Sequence, residues 1–338
     1  MQARAIVFPR AHEAEIQEID LPALRANEVR IRTEFSGVSQ GTEIWALTDR
    51  RQEIKFPTVP GYQAVGCIEA LGNDVVRASK YFEGQRVLFR TSRLPEGFPP
   101  TWMGTHISHA TVAALGRGGD HGDGAPIPIP DGVDAPAASL AALPAVSLRG
   151  LEMLNIRIGD LVVVNGQGLI GQSSSQLARL RGATVVVADI SAPRLELSRR
   201  VGADVTVNVR EQNLGEVVRS LRPRGADVVI ETTGRSDQFA PSVDLLRWEG
   251  QLLLQGWYPD PITFDFNLTH GKKPTIAITC GFDEKNCASI IELMQHGKLP
   301  LGSLITHQVP VEQAPELYER MAKNDPEILG VVFDWNAA

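Results

Sequence analysis

Two hydropathic textures divide the chain. Up to about residue 135, short apolar or alternating runs recur at 3–8, 28–33, 64–71, 85–89 and 108–114, closed by Gly- and Pro-bearing stretches such as EFSGVSQGTE, PTVPGYQ and RLPEGFPPTWMG. Runs of this length and punctuation predict strands. Strands joined by long loops predict a partly open barrel or sandwich. A Gly/Pro-rich connector is expected at 121–134. From 135 onward the texture changes. DAPAASLAALPAVSLRGLEML predicts a helix broken or kinked at Pro144. Continuous apolar runs at 160–165, 184–189, 204–209, 227–231, 251–255 and 275–280 then alternate with helical stretches at 172–181, 193–201, 215–221 and 236–246. That alternation predicts a parallel, doubly wound α/β sheet. After residue 283 come a helix at 285–296, a strand in LITHQV, a helix at 311–323 and a closing strand at 329–335. This last texture resembles the first, so residues 1–135 and 283–338 are expected to fold together around an insert at 136–282.

Composition changes this picture little. With 43% apolar and 22% charged residues the 338-residue chain is an ordinary globular protein. Its net charge of −7 disfavours nucleic acid as a partner. The N-terminus has no basic flank followed by an apolar run, and no apolar stretch reaches ~18 residues. Neither a secretion signal nor a membrane span is therefore expected, and the protein is expected in the cytoplasm. Cys67, Cys280 and Cys287 form no CxxC and no Cys/His cluster, which fits a reducing compartment.

The most specific chemistry lies in VVVNGQGLIGQSSSQLARLRGATVVVAD. Gly166, Gly168 and Gly171 form G-x-G-x-x-G between a predicted strand and a predicted helix. Gly166 permits a tight turn, Gly168 lets the backbone approach a pyrophosphate, and Gly171 lets helix and strand pack closely. The helix N-terminus, with Leu169 and Ile170, offers amides and a positive dipole end to phosphates. Asp189 ends the next strand, 18 positions after Gly171. A carboxylate there accepts from both ribose hydroxyls and repels a 2′-phosphate, which favours NAD over NADP. Ile190 and Arg194 are expected beside the adenosine. Thr232 and Thr233 are expected at the nicotinamide ribose. Gln255, Gly256 and Trp257, with Cys280–Gly281, are expected to offer backbone partners to the carboxamide.

End to end, the chain resembles the medium-chain dehydrogenase/reductase superfamily. EFSGVSQGTE stands where its zinc alcohol dehydrogenases carry a C-G-x-D-like loop. PTVPGYQAVGCIEALG stands where they carry P-G-H-E-x-x-G-x-V-x-x-x-G, and GADVVIETTG and GQLLLQGW match two later strands. The resemblance implies a Rossmann doubly wound sheet inserted into a β-rich GroES-like catalytic domain. Gly-Tyr-Gln in place of Gly-His-Glu looks most like a zinc-free branch near bacteriochlorophyllide dehydrogenases and threonine/polyol-dehydrogenase-like proteins. By this match Gln40, Tyr62 and Ala142 stand at the zinc-ligand places, and 89–104 holds no cysteine for a structural zinc. Gln and Tyr are poor zinc ligands and Ala is none, so no metal is expected.

Without zinc, hydrogen bonds must hold the developing alkoxide and a base must lie near the hydroxyl. The two diagnostic loops offer Thr42, at the family's proton-relay place, with Tyr62, Glu43 and Gln40; His106 lies in the WMGTHISH segment. Tyr62 acts there if its pKa is lowered. Its bland role is to fill space; for Glu43 it is an ion pair, and for His106 packing. His270, Lys272 and Lys273 read as solvated loop residues, Trp45, Trp102 and Trp257 as pocket walls or core, and Cys280 as a small buried thiol. The function expected is zinc-independent hydride transfer between NAD and a secondary alcohol of a sugar, polyol, cyclitol or other hydroxylated ring. The alternatives are an NADPH-dependent enone or quinone reductase, or a dinucleotide-binding protein without turnover. A homodimer or homotetramer is expected through the edge strand at 275–280.

Overall fold

A ten-residue strand organises the first unit. The computed structural model describes residues 1–115 and 124–337, which divide into one unit of Met1–Ala142 with Asp283–Ala338 and another of Leu143–Phe282. In the first, β1 (Gln2–Val7) and β2 (Glu15–Asp20) form an antiparallel pair. Then follow β3 (Glu28–Gly37), α1 (Gln40–Leu47), β4 (Ala64–Leu71), α2 (Asn73–Ala78), β5 (Arg86–Phe89), β6 (His109–Ala113), β7 (Ile127–Pro128) and α3 (Ala135–Ala138). The second unit runs α4 (Ala142–Leu151), β8 (Leu161–Asn165), α5 (Leu169–Leu180), β9 (Thr184–Asp189), α6 (Ala192–Arg200), β10 (Val205–Asn208), α7 (Leu214–Leu221), β11 (Ala226–Glu231), α8 (Phe239–Leu245), β12 (Leu246–Leu254), α9 (Phe266–Lys272) and β13 (Thr275–Ile278). The chain returns to the first unit with α10 (Glu284–Gln295), β14 (Ile305–Pro310), α11 (Ala314–Ala322) and β15 (Gly330–Asp334).

Strand β3 pairs antiparallel with β4, β6 and β15, inside a seven-stranded sheet of order β14-β15-β3-β4-β5-β7. The returning segment therefore completes this sheet. The same closure is visible in packing, since Ile6, Phe8, Leu317, Tyr318, Val331 and Phe333 share one buried cluster from the two ends of the sequence. The first boundary falls at 142, later than the expected 135, because α3 and the turn after it pack on β3. A Cβ at Gly37 would lie 2.3 Å from the Ser139 carbonyl oxygen.

The second unit carries the six-stranded parallel sheet in the order β10-β9-β8-β11-β12-β13. Every residue of β8, LVVVN, is buried, as a strand covered on both faces requires. Pro144 does not break a helix. It is the third residue of α4, where its missing amide has no helical partner to lose. Strand β12 begins at Leu246, five residues before the apolar run expected at 251, through an irregular register against β11. Residues 121–123 of the expected connector lie outside the described residues. Among the described residues no helix is long and apolar enough to cross a membrane.

Candidate functional site

In the first unit the two diagnostic loops meet. Gly61 takes φ +84°, and a Cβ there would come 2.7 Å from the His106 ring. The Gly61 carbonyl accepts from the Gly104 and Thr105 amides at 2.8 and 3.1 Å. This close approach fixes the backbone just before Tyr62. The Tyr62 hydroxyl then donates to Ser39 Oγ at 2.9 Å. Ser39 is the N-cap of α1 but makes no side-chain cap bond. A serine there ordinarily accepts from a first-turn amide, worth about 1 kcal/mol; here its oxygen serves Tyr62. Glu43 answers by accepting from the Ser39 amide at 2.7 Å.

Burial, foremost, pushes the Tyr62 phenol up to about 12; its bonds to Ser39 and Thr42 and the charge of Arg51 pull the other way, while Glu43 adds to the rise. Tyr62 is therefore a neutral donor near neutral pH. The lowered pKa expected of it is not found, because a buried phenolate beside Glu43 has too little to solvate it. Trp102 packs on Tyr62, ring centroids 5.6 Å apart, and Arg51 lies over Trp102 at 5.3 Å.

Glu43 and His106 are turned into the fold. Both are fully buried. Glu43 Oε2 meets His106 Nε2 at 3.0 Å and accepts from the Tyr318 hydroxyl. His106 Nδ1 lies 2.8 Å from Ser36 Oγ, which accepts from Trp335 Nε1 at 2.9 Å. One hydrogen pattern satisfies the group: Trp335 donates to Ser36, Ser36 to His106 Nδ1, and His106 Nε2–H to Glu43. Buried and bonded in this way, the two residues tie the site's loops together.

Gln40 differs. Its Nε2 is buried with no acceptor among the described residues. Gln63 shows the same feature: it is fully buried, its Oε1 accepts from the Ala142 amide at 3.1 Å, and its Nε2 has no acceptor. Sequence reasoning missed Ser39 and Gln63. The signal for Ser39 was its place one residue before Gln40 in SGVSQGTE; for Gln63 it was its place beside Tyr62.

In the second unit Gly166 and Gly171 show the tight turn and the close packing expected of them. Gly166 takes φ +90°, and a Cβ on it would strike Thr232 Oγ1 at 2.8 Å. A Cβ on Gly171 would lie 1.9 Å from the Gly166 carbonyl oxygen, whereas one on Gly168 would meet open space. Gly168 N-caps α5 with no side-chain cap bond, so the amides of Leu169 and Ile170 lack a side-chain acceptor there. Asp189 ends β9 and accepts from the Gln167 and Ser191 amides at 2.6 and 2.8 Å. A carboxylate offers about four lone-pair sites, so two remain for ribose hydroxyls. Ile190 beside it is 53% exposed. Arg194 stands in the first turn of α6, where its carbonyl accepts from Gln172 at 2.9 Å. These features fit a dinucleotide.

The far end of the site is more committed than expected. The Gln255 and Gly256 amides both donate to the Glu231 carbonyl, and the Gln255 side chain is tied to Ser174 and to the Val146 and Ser147 carbonyls. Neither amide is available to a carboxamide in this conformation. Thr232 Oγ1 donates to the Asn165 and Gly166 carbonyls, and Thr233 Oγ1 to Glu231, leaving both hydroxyls as acceptors. Trp257 is exposed. Cys280 is exposed too, and the buried thiol is Cys287. Lys272 donates to the Asp244 and Leu246 carbonyls and Lys273 lies over Trp248, which ties the end of α9 to its surroundings, while His270 stacks on Phe266 within α9.

Comparison with known proteins agrees with both halves. The family described as alcohol dehydrogenase GroES-like domain matches residues 25–120, and that described as zinc-binding dehydrogenase matches 170–296. The chain belongs to the medium-chain dehydrogenase/reductase superfamily. Within that superfamily it is 29% identical to an alcohol dehydrogenase of Cupriavidus necator, over 97% of each chain. It is 26% identical to the L-galactonate-5-dehydrogenase of Escherichia coli, over 97% of this chain and 98% of the relative. A solved dehydrogenase of Sinorhizobium meliloti 1021, bound to NADP, shares the fold with a TM-score of 0.85 at 19% identity, covering 99% of each chain. The superfamily's zinc does not fit the donors present. Tyr62 keeps its proton, its partner is the Ser39 hydroxyl, and Ala142 has only a methyl group.

Proposed function

We propose that this chain is a zinc-independent dehydrogenase that moves a hydride between NAD and a secondary alcohol or ketone of a sugar, polyol, cyclitol or other hydroxylated ring. The observation that carries the reading is the Tyr62–Ser39 hydroxyl pair, with Thr42 bonded to the same phenol, where the resemblance calls for metal ligands. Relatives named for alcohols and for L-galactonate support the substrate class.

The bound nicotinamide supplies the hydride acceptor, or its donor in reverse. The chain supplies the rest. In the reducing direction Tyr62 gives its proton to the substrate oxygen as the hydride reaches the carbonyl carbon, and the phenolate is reprotonated from water through the Ser39 and Thr42 hydroxyls; oxidation runs the same transfers backwards, the phenolate taking the hydroxyl proton. The orphaned Gln40 amide donates to a second substrate oxygen. Glu43, backed by His106 and Tyr318, holds Ser39 in place. Asp189 accepts from the adenosine ribose and disfavours a 2′-phosphate, which supports NAD although the fold neighbour holds NADP.

Titrating NADH against NADPH, then assaying alcohol and enone panels, tests this. Tighter NADH binding and alcohol oxidation are expected; turnover of enones with NADPH alone would overturn it. Protein purified without added zinc is expected to hold well under one zinc per chain and to keep its activity with a chelator. Stoichiometric tightly bound zinc would defeat the Tyr62–Ser39 assignment. We also propose that two copies pair through β13, the sheet edge on which Ile276 and Ile278 are exposed. Light scattering at the mass of one chain would refute this.

A further inference from the structure

The glycine loop is clamped by one of its own side chains. Gln167, between Gly166 and Gly168, is fully buried. Its Nε2 donates to the Val164 and Gly166 carbonyls at 3.3 and 2.9 Å. Its Oε1 accepts from Ser198 Oγ at 2.9 Å, with Ser175 Oγ at 3.3 Å. The partners fix which end of the amide is which, because a backbone carbonyl can only accept. Ser175 lies on α5 and Ser198 on α6, so this one side chain joins the loop to both helices.

The bond to Gly166 matters most. The Gly166 carbonyl and the Gln167 N–H are the two ends of one planar peptide unit. Gln167 Nε2 holds the carbonyl end, together with Thr232 Oγ1 at 3.0 Å. The amide end donates to Asp189 Oδ2 at 2.6 Å. If this peptide turned over, its carbonyl would face the Asp189 carboxylate and attraction would become repulsion. Gly166, at φ +90° and without a Cβ, offers little resistance of its own to such a turn. The Gln167 side chain supplies that resistance. The second carboxylate oxygen accepts from the Ser191 amide, at the start of α6, at 2.8 Å. Both oxygens of Asp189 are thereby held in place, and both amides that hold them are occupied.

We propose that Gln167 is a positioning residue for cofactor choice. Its side chain locks the Gly166–Gln167 peptide, so that Asp189 is presented to the adenosine ribose and its two amide donors are withheld from a 2′-phosphate. This rests on the reading of Asp189 as the ribose-binding carboxylate and deepens it. Being fully buried, the Gln167 side chain acts through Asp189.

Fluorescence titration of the whole protein with NADH and with NADPH, at one ionic strength, provides the test. The readout is the ratio of the two dissociation constants. The unaltered protein is expected to favour NADH, and Asp189→Ala to lose that preference. Gln167→Met keeps the length of the side chain and removes its polar atoms. It is expected to narrow the NADH preference about tenfold, the scale of coupling between neighbours in one hydrogen-bond network. In the Asp189→Ala background the same substitution should move the ratio by less than about twofold, since the residue it acts through is gone. A purely structural role would weaken both dinucleotides by one factor. An unchanged ratio in Gln167→Met, or the same narrowing with and without Asp189, therefore overturns the inference. Should Gln167→Met fail to fold, Ser198→Ala is the second variant. It removes the nearer partner of Gln167 Oε1 and is expected to narrow the ratio about threefold; no narrowing there counts against the inference equally. A preference for NADPH, or none, in the unaltered protein would overturn the NAD reading and this inference with it. A preference for NADH that Gln167→Met leaves intact keeps the NAD reading and sinks this inference alone.

Discussion

At the residue scale, Tyr62 carries the sharpest prediction. On the proposed reading its phenol is the donor in the metal's place, so Tyr62→Phe is expected to cut turnover about 100-fold, the usual loss of one transition-state donor. Dinucleotide affinity should be unchanged, because the lost hydroxyl belongs to the other unit. Steady-state kinetics beside an NADH titration checks both. Two carboxyls make opposite pH predictions. Burial raises the Glu231 pKa, and the bonds from Thr233 and Tyr258 do not reverse it. The folded state therefore holds this proton more tightly than the unfolded chain. Stability falls as pH rises from the ordinary carboxyl pKa through the raised folded value. Glu231→Gln should remove that decline, read from urea midpoints across pH. Burial also acts to raise Asp227, but the Arg247 bond, the Leu161 amide and the charges of Arg247 and Arg222 win, and its pKa is lowered. Its contribution is present above the ordinary value and lost as pH falls through the lowered one. Asp227→Asn should flatten the acid side of the same curve.

At the element scale, the glycine loop separates folding from binding. Gly168→Ala adds a methyl into open space and should leave the thermal midpoint almost unmoved while weakening dinucleotide affinity. Gly171→Ala forces a methyl onto the Gly166 carbonyl and should destabilise the protein outright. Differential scanning fluorimetry with and without NADH distinguishes them; equal destabilisation by both would remove the case that Gly168 lies against a ligand. The elements easiest to read in the sequence were those whose pattern is set by burial alone. Strands β4 and β9 fall on the apolar runs that mark them, and every residue of β8 is buried as its run implies. Helix α1 was illegible because QGTEIWAL has a weak apolar face and a Gly near its start. It is held by long-range bonds from Glu43 to His106 and Tyr318 that no local pattern reports. The site divides along the same line. Backbone roles of Gly166 and Gly171 follow from spacing, whereas the depth of Glu43 and His106 and the orphaned donor on Gln63 depend on partners 60 to 280 residues away or on a single amide across the unit.

At the scale of the whole molecule, the Glu43 group pins three distant stretches together: α1, the loop bearing His106, and α11 with its Tyr318. Glu43→Gln places an amide donor against two other donors and is expected to cost on the order of 3 kcal/mol, as breaking one partner of a buried charged group does. Urea unfolding measures it, and a loss below about 0.5 kcal/mol would show that the group is not a clasp.

The returning segment has a temporal meaning. Strand β3 gains β15 as a neighbour only after residue 330 has been made, although β3 itself ends at Gly37. During synthesis the second unit, contiguous in sequence, can close its sheet while the first still waits with the Phe35–Gly37 end of β3 and the apolar side chains of Ile6 and Phe8 short of their late partners. The order of completion on the ribosome is thus inverted relative to the order of the chain: the insert matures first and the part begun earliest finishes last.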